Sequence, residues 1–307
     1  VTSMDLAPGL RYFLEVARTG SITQASAQLH VAASAISRQI ARLEHEVGVP
    51  LFERRPRGMV LSEAGEVLAA HARRSQRESE QVLADLRGSG TLRCSTVRVA
   101  SSQGFARGFL PEVMVGFRES HPGVHFHLHV TTPGDATRRV RDGDADLAVT
   151  YSLAPEEGVK VEHALRQPIL ALVPVGHPLA GRAELWISDL LPYPLGLTEQ
   201  TTTMRQLFDI CASLEDLDFQ PAFVSNDSSA LHSFARLHGG IILSGPLTLQ
   251  GSGIDENVVA IPLRNPELAE RSVQIQSMAR RVLPVAVQTF LTYLRERMGG
   301  RKTADDE

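Results

Sequence analysis

The sequence predicts a multidomain chain, all-α over about its first 90 residues and α/β beyond them. Three observations lead there. Its 307 residues exceed one domain, since folded units usually run to about 100–200 residues. Near residue 90 the apolar periodicity changes from helical spacing to short β-rich runs alternating with helical stretches. Hydrophobic residues at 43% and charged residues at 21% sit near globular averages, which excludes a wholly disordered, collagenous or disulfide-scaffold chain.

Two cysteines, Cys94 and Cys211, are too few for a disulfide framework or a four-cysteine zinc site, so reduced, buried thiols are expected. The longest apolar run, near Pro168 to Val175, is strand-sized and falls short of the roughly 18 residues a membrane span needs. Val1 to Leu10 lacks the basic segment and apolar stretch of a secretory signal. A cytoplasmic protein with no membrane partner is expected. The net charge of −4 argues against a chain coated throughout with nucleic acid. Its distribution is uneven, with seven arginines against five acidic residues in positions 1–61. Arginine suits forked contact with phosphates or carboxylates.

The helical part has internal order. Leu10, Phe13, Leu14 and Ala17 stripe a first helix over Leu10 to Arg18, which Gly20 is placed to end. Ser21 and Gln24 have capping-box spacing at the start of a second helix striped by Ile22, Ala25 and Leu29. After a turn at His30 and Val31, a third helix puts Ile36, Ile40, Leu43 and Val47 on one face, and Ser34, Arg38, Arg42 and His45 opposite. Two helices, a short turn and a third helix with a donor-rich outer face describe either a plain bundle or a helix-turn-helix whose second element enters the DNA major groove. Leu51-Phe52 and Met59-Val60-Leu61 then flank Glu53 to Gly58, a hairpin expected to hold Arg54, Arg55 and Arg57 at its tip, in reach of phosphates or the minor groove. That basic wing favours DNA reading.

Phe13-Leu14-Glu15-Val16-Ala17, Gly20-Ser21-Ile22-Thr23-Gln24-Ala25-Ser26, Ser37-Arg38-Gln39-Ile40-Ala41-Arg42-Leu43-Glu44, and Leu51-Phe52-Glu53-Arg54 with Leu61-Ser62-Glu63-Ala64-Gly65 together resemble the winged helix-turn-helix of LysR-type transcriptional regulators. The resemblance implies that Thr23, Ser34, Ser37, Arg38, Gln39 and Arg42 face the groove or its phosphates, with Arg54, Arg55 and Arg57 in the wing. Ala32 and Ala33 depart from the family's usual Ser-Gln. The first departure removes a helix N-cap worth about 1 kcal/mol, and the second an amide able to pair with adenine. Ser62 is placed to cap a long helix reaching about Arg87, with Ala64, Val67, Leu68, Val82, Leu83 and Leu86 as its apolar positions. By resemblance it is the family's linker helix, pairing chains into a homodimer or homotetramer. The glycine- and serine-rich segment Arg87 to Thr91 marks a domain boundary.

Beyond it, Val97 to Ala100, Val124 to Val130, Leu147 to Thr150, Ile169 to Val173 and Ile241 to Ser244 read as strands. Gly104 with Phe109-Leu110-Pro111, His121-Pro122-Gly123-Val124, Gly143 to Ala148, Val173 to Leu179 and Gly239 to Leu243 resemble the same family's effector region. The resemblance implies a periplasmic-binding-protein-like α/β domain over about 91–298. Lobe one would hold about 91–165 and 266–298, lobe two about 166–265, and 299–307 would form a disordered tail. The reader module would span 1–61 and the linker 62–90.

In open α/β sheets ligands bind beyond the carboxyl ends of strands, where helix N-termini offer free N–H groups. Polar clusters follow three such ends: Ser101, Ser102 and Gln103; Thr201, Thr202 and Thr203; and Ser225 and Asn226. Thr131 and Thr132 end another strand. These residues suit a small carboxylate-bearing effector, although each is also an ordinary helix cap. His125, His127 and His129 alternate on one strand and so point to one side. Three ligands on one flat strand rarely converge on a metal, so a solvated or intersubunit face is expected and no metal or cofactor is assigned.

Rival functions find little support. The sequence holds no nucleophile elbow, phosphate loop, HExxH or GxGxxG after a strand, which argues against an enzyme. A solute-binding receptor without DNA function would not need the arginine wing, and an architectural DNA protein would not need a cleft. The expected function is regulation of transcription through double-stranded DNA, modulated by a small-molecule effector.

Overall fold

The structure, a computed structural model, describes residues 8–55, 58–86, 95–154, 156–249 and 256–299. Arg57, the junction at 87–91, Cys94 and residues 300–307 of the expected disordered tail lie outside the described residues, as do the side chains of Arg54, Val82, Leu83 and Leu86; Gly299, expected in that tail, belongs to the C-terminal helix. The chain divides into two compact units near residue 91.

In the N-terminal unit α1 (Pro8–Thr19), α2 (Ile22–Leu29) and α3 (Ala33–Val47) are followed by β1 (Phe52–Arg55), β2 (Gly58–Leu61) and α4 (Glu63–Leu86). Phe13, Val16, Ala25, Ile36, Ile40, Leu51, Phe52 and Ala69 form its core. The rings of Phe13 and Phe52 stand 5.2 Å apart, joining α1 to the wing. Ser21 caps α2 by accepting from Gln24 N–H at 3.4 Å, and His30 closes the helix in the left-handed region at φ 54°. No side-chain bond caps α3 at Ala32. Val47, expected on the buried face, is 49% exposed. It is the last residue of α3, next to the terminating Gly48 at φ 79° and the exposed Val49 and Pro50. On α4, Val67 is exposed, whereas Ala69, Ala70 and Ala72 are buried.

The wing is anchored by polar contacts and by close backbone packing. Glu44 Oε1 accepts from Leu51 N–H at 2.8 Å and Phe52 N–H at 3.3 Å, so the end of α3 fixes the start of β1. Met59 N–H donates to Gly20 O at 2.8 Å. Ser62 Oγ accepts from Gly65 N–H at 3.1 Å, capping α4, and donates to Pro50 O at 2.7 Å. The strands run on to Arg55, pairing Arg54 with Met59 and Arg55 with Gly58. Arg54 and Arg55 therefore sit on β1 and not at the hairpin tip, because ladder pairing extends beyond the apolar residues that suggested it.

The C-terminal unit contains two mixed five-stranded sheets. The first lobe comprises β3 (Ser95–Ser102), α5 (Gln103–Ala106), α6 (Phe109–Ser120), β4 (Val124–Thr131), α7 (Pro133–Arg141), β5 (Leu147–Ser152) and β6 (Val159–Arg166). The second comprises β7 (Leu170–Pro174), α8 (Ile187–Leu190), β8 (Leu195–Thr198), α9 (Thr203–Leu214), β9 (Phe223–Ser225), α10 (Ser228–Arg236), β10 (Ile241–Ser244), α11 (Pro246–Leu249) and β11 (Val258–Pro262). A 3₁₀ turn, Pro266–Glu270, leads back to β12 (Ser272–Met278) and α12 (Val285–Gly299). The sheet orders are β4-β3-β5-β12-β6 and β11-β7-β10-β8-β9. Thus β12 returns from the second lobe into the interior of the first sheet, antiparallel to both neighbours.

Alternation sets the faces of each sheet. Val97, Val99, Val149 and Ile275 pack with Phe109, Phe117 and Phe290, while Ala100, Ala148 and Met278 meet Ala136 and Val140 of α7. On that second face the buried polar side chains of β12 are paired. Thr137 Oγ1 donates to Gln276 Oε1 at 2.7 Å, and Gln276 Nε2 donates to Gln274 Oε1 at 2.9 Å. In the second lobe, Ala171, Leu197 and Leu243 pack on Leu207 and Phe208 of α9, and Leu172 and Ile242 on Leu231 and Ala235 of α10. No described helix is long and apolar enough to cross a membrane.

Two stability predictions follow from the reader module. Ala32 has φ −59° and ψ 135°, a geometry in which a serine hydroxyl can accept from the first turn of α3, so Ala32→Ser should raise stability by about 1 kcal/mol in urea titrations. A Cβ on Gly65 would stand 2.1 Å from Leu51 O; Gly65→Ala should therefore cost about 1–3 kcal/mol in the same measurement.

Candidate functional site

Two surfaces concentrate the polar residues singled out from the sequence. On the N-terminal unit, Ser34, Ser37, Arg38 and Arg42 are exposed along α3, and Thr23 is exposed on α2. Arg38 makes no hydrogen bond or ion pair with a described residue. Arg42 Nε pairs with Glu46 at 2.8 Å on the open surface, an interaction worth only a few tenths of a kcal/mol and readily exchanged for a phosphate. Gln39 turns partly inward, its Oε1 lying 3.4 Å from the position of a Cβ on Gly9. In the wing, Arg55 pairs with Glu53 at 2.9 Å.

The second surface is a cleft in the C-terminal unit. A cavity of about 290 Å³ opens between the two sheets, near the small end of the roughly 300–1,000 Å³ typical of ligand sites. Its strand-borne walls come from strand ends: Ser102 of β3, Thr131 of β4, Tyr151 of β5, Thr198 of β8 and Ser244 of β10. Parallel strands place their carboxyl ends together, which is why polar residues far apart in sequence converge. Thr201, Thr202 and Thr203 bring the start of α9 to the same space. Thr202 caps that helix, its hydroxyl accepting from Arg205 N–H at 3.3 Å. Gln103 Oε1 crosses between lobes to accept from Ser228 N–H at 2.9 Å.

Of the residues expected in the cleft, Ser102, Gln103, Thr131, Thr132, Thr201, Thr202, Thr203 and Asn226 line the cavity. Ser101 does not. The strand β3 runs through Ser102, so alternation turns Ser101 toward the face of Val97 and Val99, fully buried, with its Oγ donating to Ser102 O at 2.9 Å. Ser225 also lies off the cavity; its Oγ accepts from Asp227 N–H at 3.0 Å in the turn before α10. The Thr131 hydroxyl is engaged as a donor to Asp135 Oδ2 at 2.8 Å.

The chemistry that sequence reading missed is carried by Arg271, Tyr151 and His232. Arg271 lines the cavity yet is only 6% exposed, where the chain crosses back into β12. Its Nε donates to Thr203 Oγ1 at 3.2 Å and its guanidinium carbon stands 3.2 Å from the Tyr151 ring centroid. No described carboxylate lies within ion-pair distance of it. Burial lowers its pKa from the ordinary arginine value, and Tyr151 works against that shift. His232 is 7% exposed, with Nε2 and Ser244 Oγ 3.4 Å apart. Burial first, then the charge of Arg107, push its pKa down to about 4, so the ring is neutral at pH 7. Ser102 Oγ and His232 Nδ1 are buried without a hydrogen-bond partner among the described residues. The alternation of Val273 and Ile275 with Gln274 and Gln276 was the available signal for β12, and Arg271 immediately precedes it.

Neither the histidine strand nor Cys211 supplies a further centre. His125 and His127 are exposed on β4, an edge strand, and no group of three metal-binding residues occurs among the described residues. Cys211 is buried in the second lobe, and burial, with Glu267 beside it, pushes its thiol up to about 12.

Both units of the chain have counterparts among known proteins. Residues 9–66 match the model of the bacterial regulatory helix-turn-helix protein, lysR family, and residues 90–299 match the LysR substrate binding domain. A RuBisCO operon transcriptional regulator of Allochromatium vinosum is 32% identical over 205 residues, which cover 65% of this chain and 66% of that protein. A full-length OxyR variant from Pseudomonas aeruginosa superposes with a TM-score of 0.74 at 18% identity, over 94% of this chain and 93% of that one. Full-length CbnR complexed with its target DNA gives a TM-score of 0.62 at 17% identity, over 94% and 98%; these two likenesses concern the fold. With both family models together spanning most of its length, the chain belongs to the LysR family of DNA-binding transcriptional regulators, and not to an enzyme family.

Proposed function

We propose that promoter binding by this regulator is modulated by a small organic anion held between the lobes, with its carboxylate on Arg271. The observation carrying this reading is a guanidinium 6% exposed at the cavity wall with no described carboxylate in ion-pair range. A buried, unneutralised charge costs several kcal/mol. A ligand carboxylate would remove that cost through forked hydrogen bonds. Thr203 and the first N–H groups of α9 add donors and a positive dipole end.

DNA is read by the exposed face of α3 through Ser34, Ser37, Arg38 and Arg42, with Thr23, Gln39 and the wing residues Arg54, Arg55 and Arg57 contacting the groove edges or phosphates. Pairing through α4 into a homodimer or homotetramer would present two readers to successive half-sites. The fold likeness to CbnR, described with its target DNA, supports this use of the reader. The effector acts by preferring one arrangement of the lobes, since a ligand shifts an equilibrium only by its differential affinity.

Two variants test the division of labour. Arg38→Ala should weaken binding to a promoter duplex at least tenfold and lower the salt slope by about one if a single phosphate contact is lost, with ligand-induced thermal stabilisation unchanged. Arg271→Met should abolish that stabilisation while DNA binding without ligand persists. The ligand-free melting temperature of Arg271→Met should equal or exceed that of the parent, because an unpaired buried charge is replaced by an apolar chain. Loss of both functions in either variant would refute the assignment.

A further inference from the structure

The cavity is asymmetric in charge. Among its described lining residues the only charged side-chain types are Arg271, which is buried, and Glu199, which is exposed. One anionic group is therefore matched by one lining cation, and a second would meet Glu199 and no further cation in the lining; Arg107, whose charge reaches His232 from outside the lining, also acts on Asp227. The far walls ask for something else. Ser102, at the end of β3 in the first lobe, and His232, on α10 in the second, are 6% and 7% exposed. Each carries a buried polar atom, Ser102 Oγ and His232 Nδ1, with no hydrogen-bond partner among the described residues. Leaving such an atom unsatisfied costs about 1–3 kcal/mol, and Ser102 can redirect its hydroxyl by rotation about a single bond.

Two groups that can each donate or accept, with no cation among the lining residues beside them, are matched by an uncharged hydroxyl. A hydroxyl donates and accepts and so serves either tautomer of a neutral imidazole. A carboxylate only accepts, so it would force both groups to donate and would find no cation among the lining residues to offset its desolvation. Among the other lining residues the apolar side chains of Met204, Leu231 and Leu243 suit a short carbon skeleton. The volume, about 290 Å³, limits that skeleton to a small metabolite.

Resting on the reading that an anion sits on Arg271, we propose that the cleft selects monoanionic hydroxy acids, binding one carboxylate at Arg271 and one hydroxyl at Ser102 and His232, and that it discriminates against dicarboxylates. The discrimination comes from the charge inventory of the walls and not from size, since a carboxylate and a hydroxymethyl group are similar in bulk.

Matched triplets of acids, sharing a skeleton and differing at one position, test this on the full chain by calorimetry. Suitable sets are benzoate, 3-(hydroxymethyl)benzoate and isophthalate, and butanoate, 5-hydroxypentanoate and glutarate. In the best-bound triplet the hydroxy acid should bind about tenfold more tightly than the parent acid and than the diacid. Ser102→Ala, and separately His232→Gln, should reduce that preference toward parity. A diacid or parent acid binding as well as the hydroxy acid, a preference that survives both variants, or no binding by any acid would overturn the proposal. Arg271→Met separates the two levels. If acids bind and this variant abolishes their binding while the hydroxyl preference is absent, only the present inference fails. If acids bind Arg271→Met as well as the parent protein, the anion site itself fails.

Discussion

A single chain crossing organises the C-terminal unit. After the second lobe is complete, the polypeptide returns through Arg271 and enters the first sheet as β12, between β5 and β6. Because β12 is an interior strand paired on both sides, the residue just before it is held in place by two ladders of backbone hydrogen bonds. The guanidinium is further fixed by Thr203 at the start of α9 and by stacking on Tyr151 at the end of β5. One residue at the crossing thus touches both lobes. The charge is thereby held at the cavity wall, with no described counter-ion, by contacts that reach both lobes.

The reader depends on a different constraint, backbone approach. Gly58, at φ 126°, is so near the turn between α1 and α2 that a Cβ would stand 2.5 Å from Gly20 O. Glu44, on the side of α3 away from Arg38 and Arg42, is consumed by capturing the first N–H groups of the wing. Of the two acidic residues of this helix one is thereby spent on architecture, and the other, Glu46, pairs with Arg42 near the C-terminal end. Toward the start of α3 the outward residues Ser34, Ser37 and Arg38 bear hydroxyls and a guanidinium, a surface suited to phosphates and base edges.

Much of this was legible in the chain itself. Phe13, Ala25, Ile36 and Ile40 recur at helical spacing and form the core, and Ser21 and Ser62 cap the helices their side-chain chemistry suits. Strands with continuous apolar runs, such as Ile241–Ser244, were evident for the same reason. Strands β6 and β12 were not, because β6 carries exposed polar residues and β12 alternates apolar residues with glutamines. Gln274 and Gln276 read as surface residues, yet they are buried and satisfied by one another and by Thr137. Such a pairing partner, 139 positions away, has no local signature.

The same distinction runs through the cleft. Clusters of Ser, Thr and Asn after strands announce where helices begin, and the sequence by itself determined that these ends would be polar, that the third helix would expose arginines on one face, and to which family the pattern belongs. Which hydroxyls meet was decided only by tertiary structure. One residue of register turned Ser101 into the core and Ser102 to the cavity, since a strand reverses its side chains at every step. Arg271 reaches the cavity only because a distant return strand carries it, with no described counter-ion, to the mouth of α9. Local propensity depends on near neighbours, whereas the burial and pairing of a charge depend on residues brought together by the whole fold.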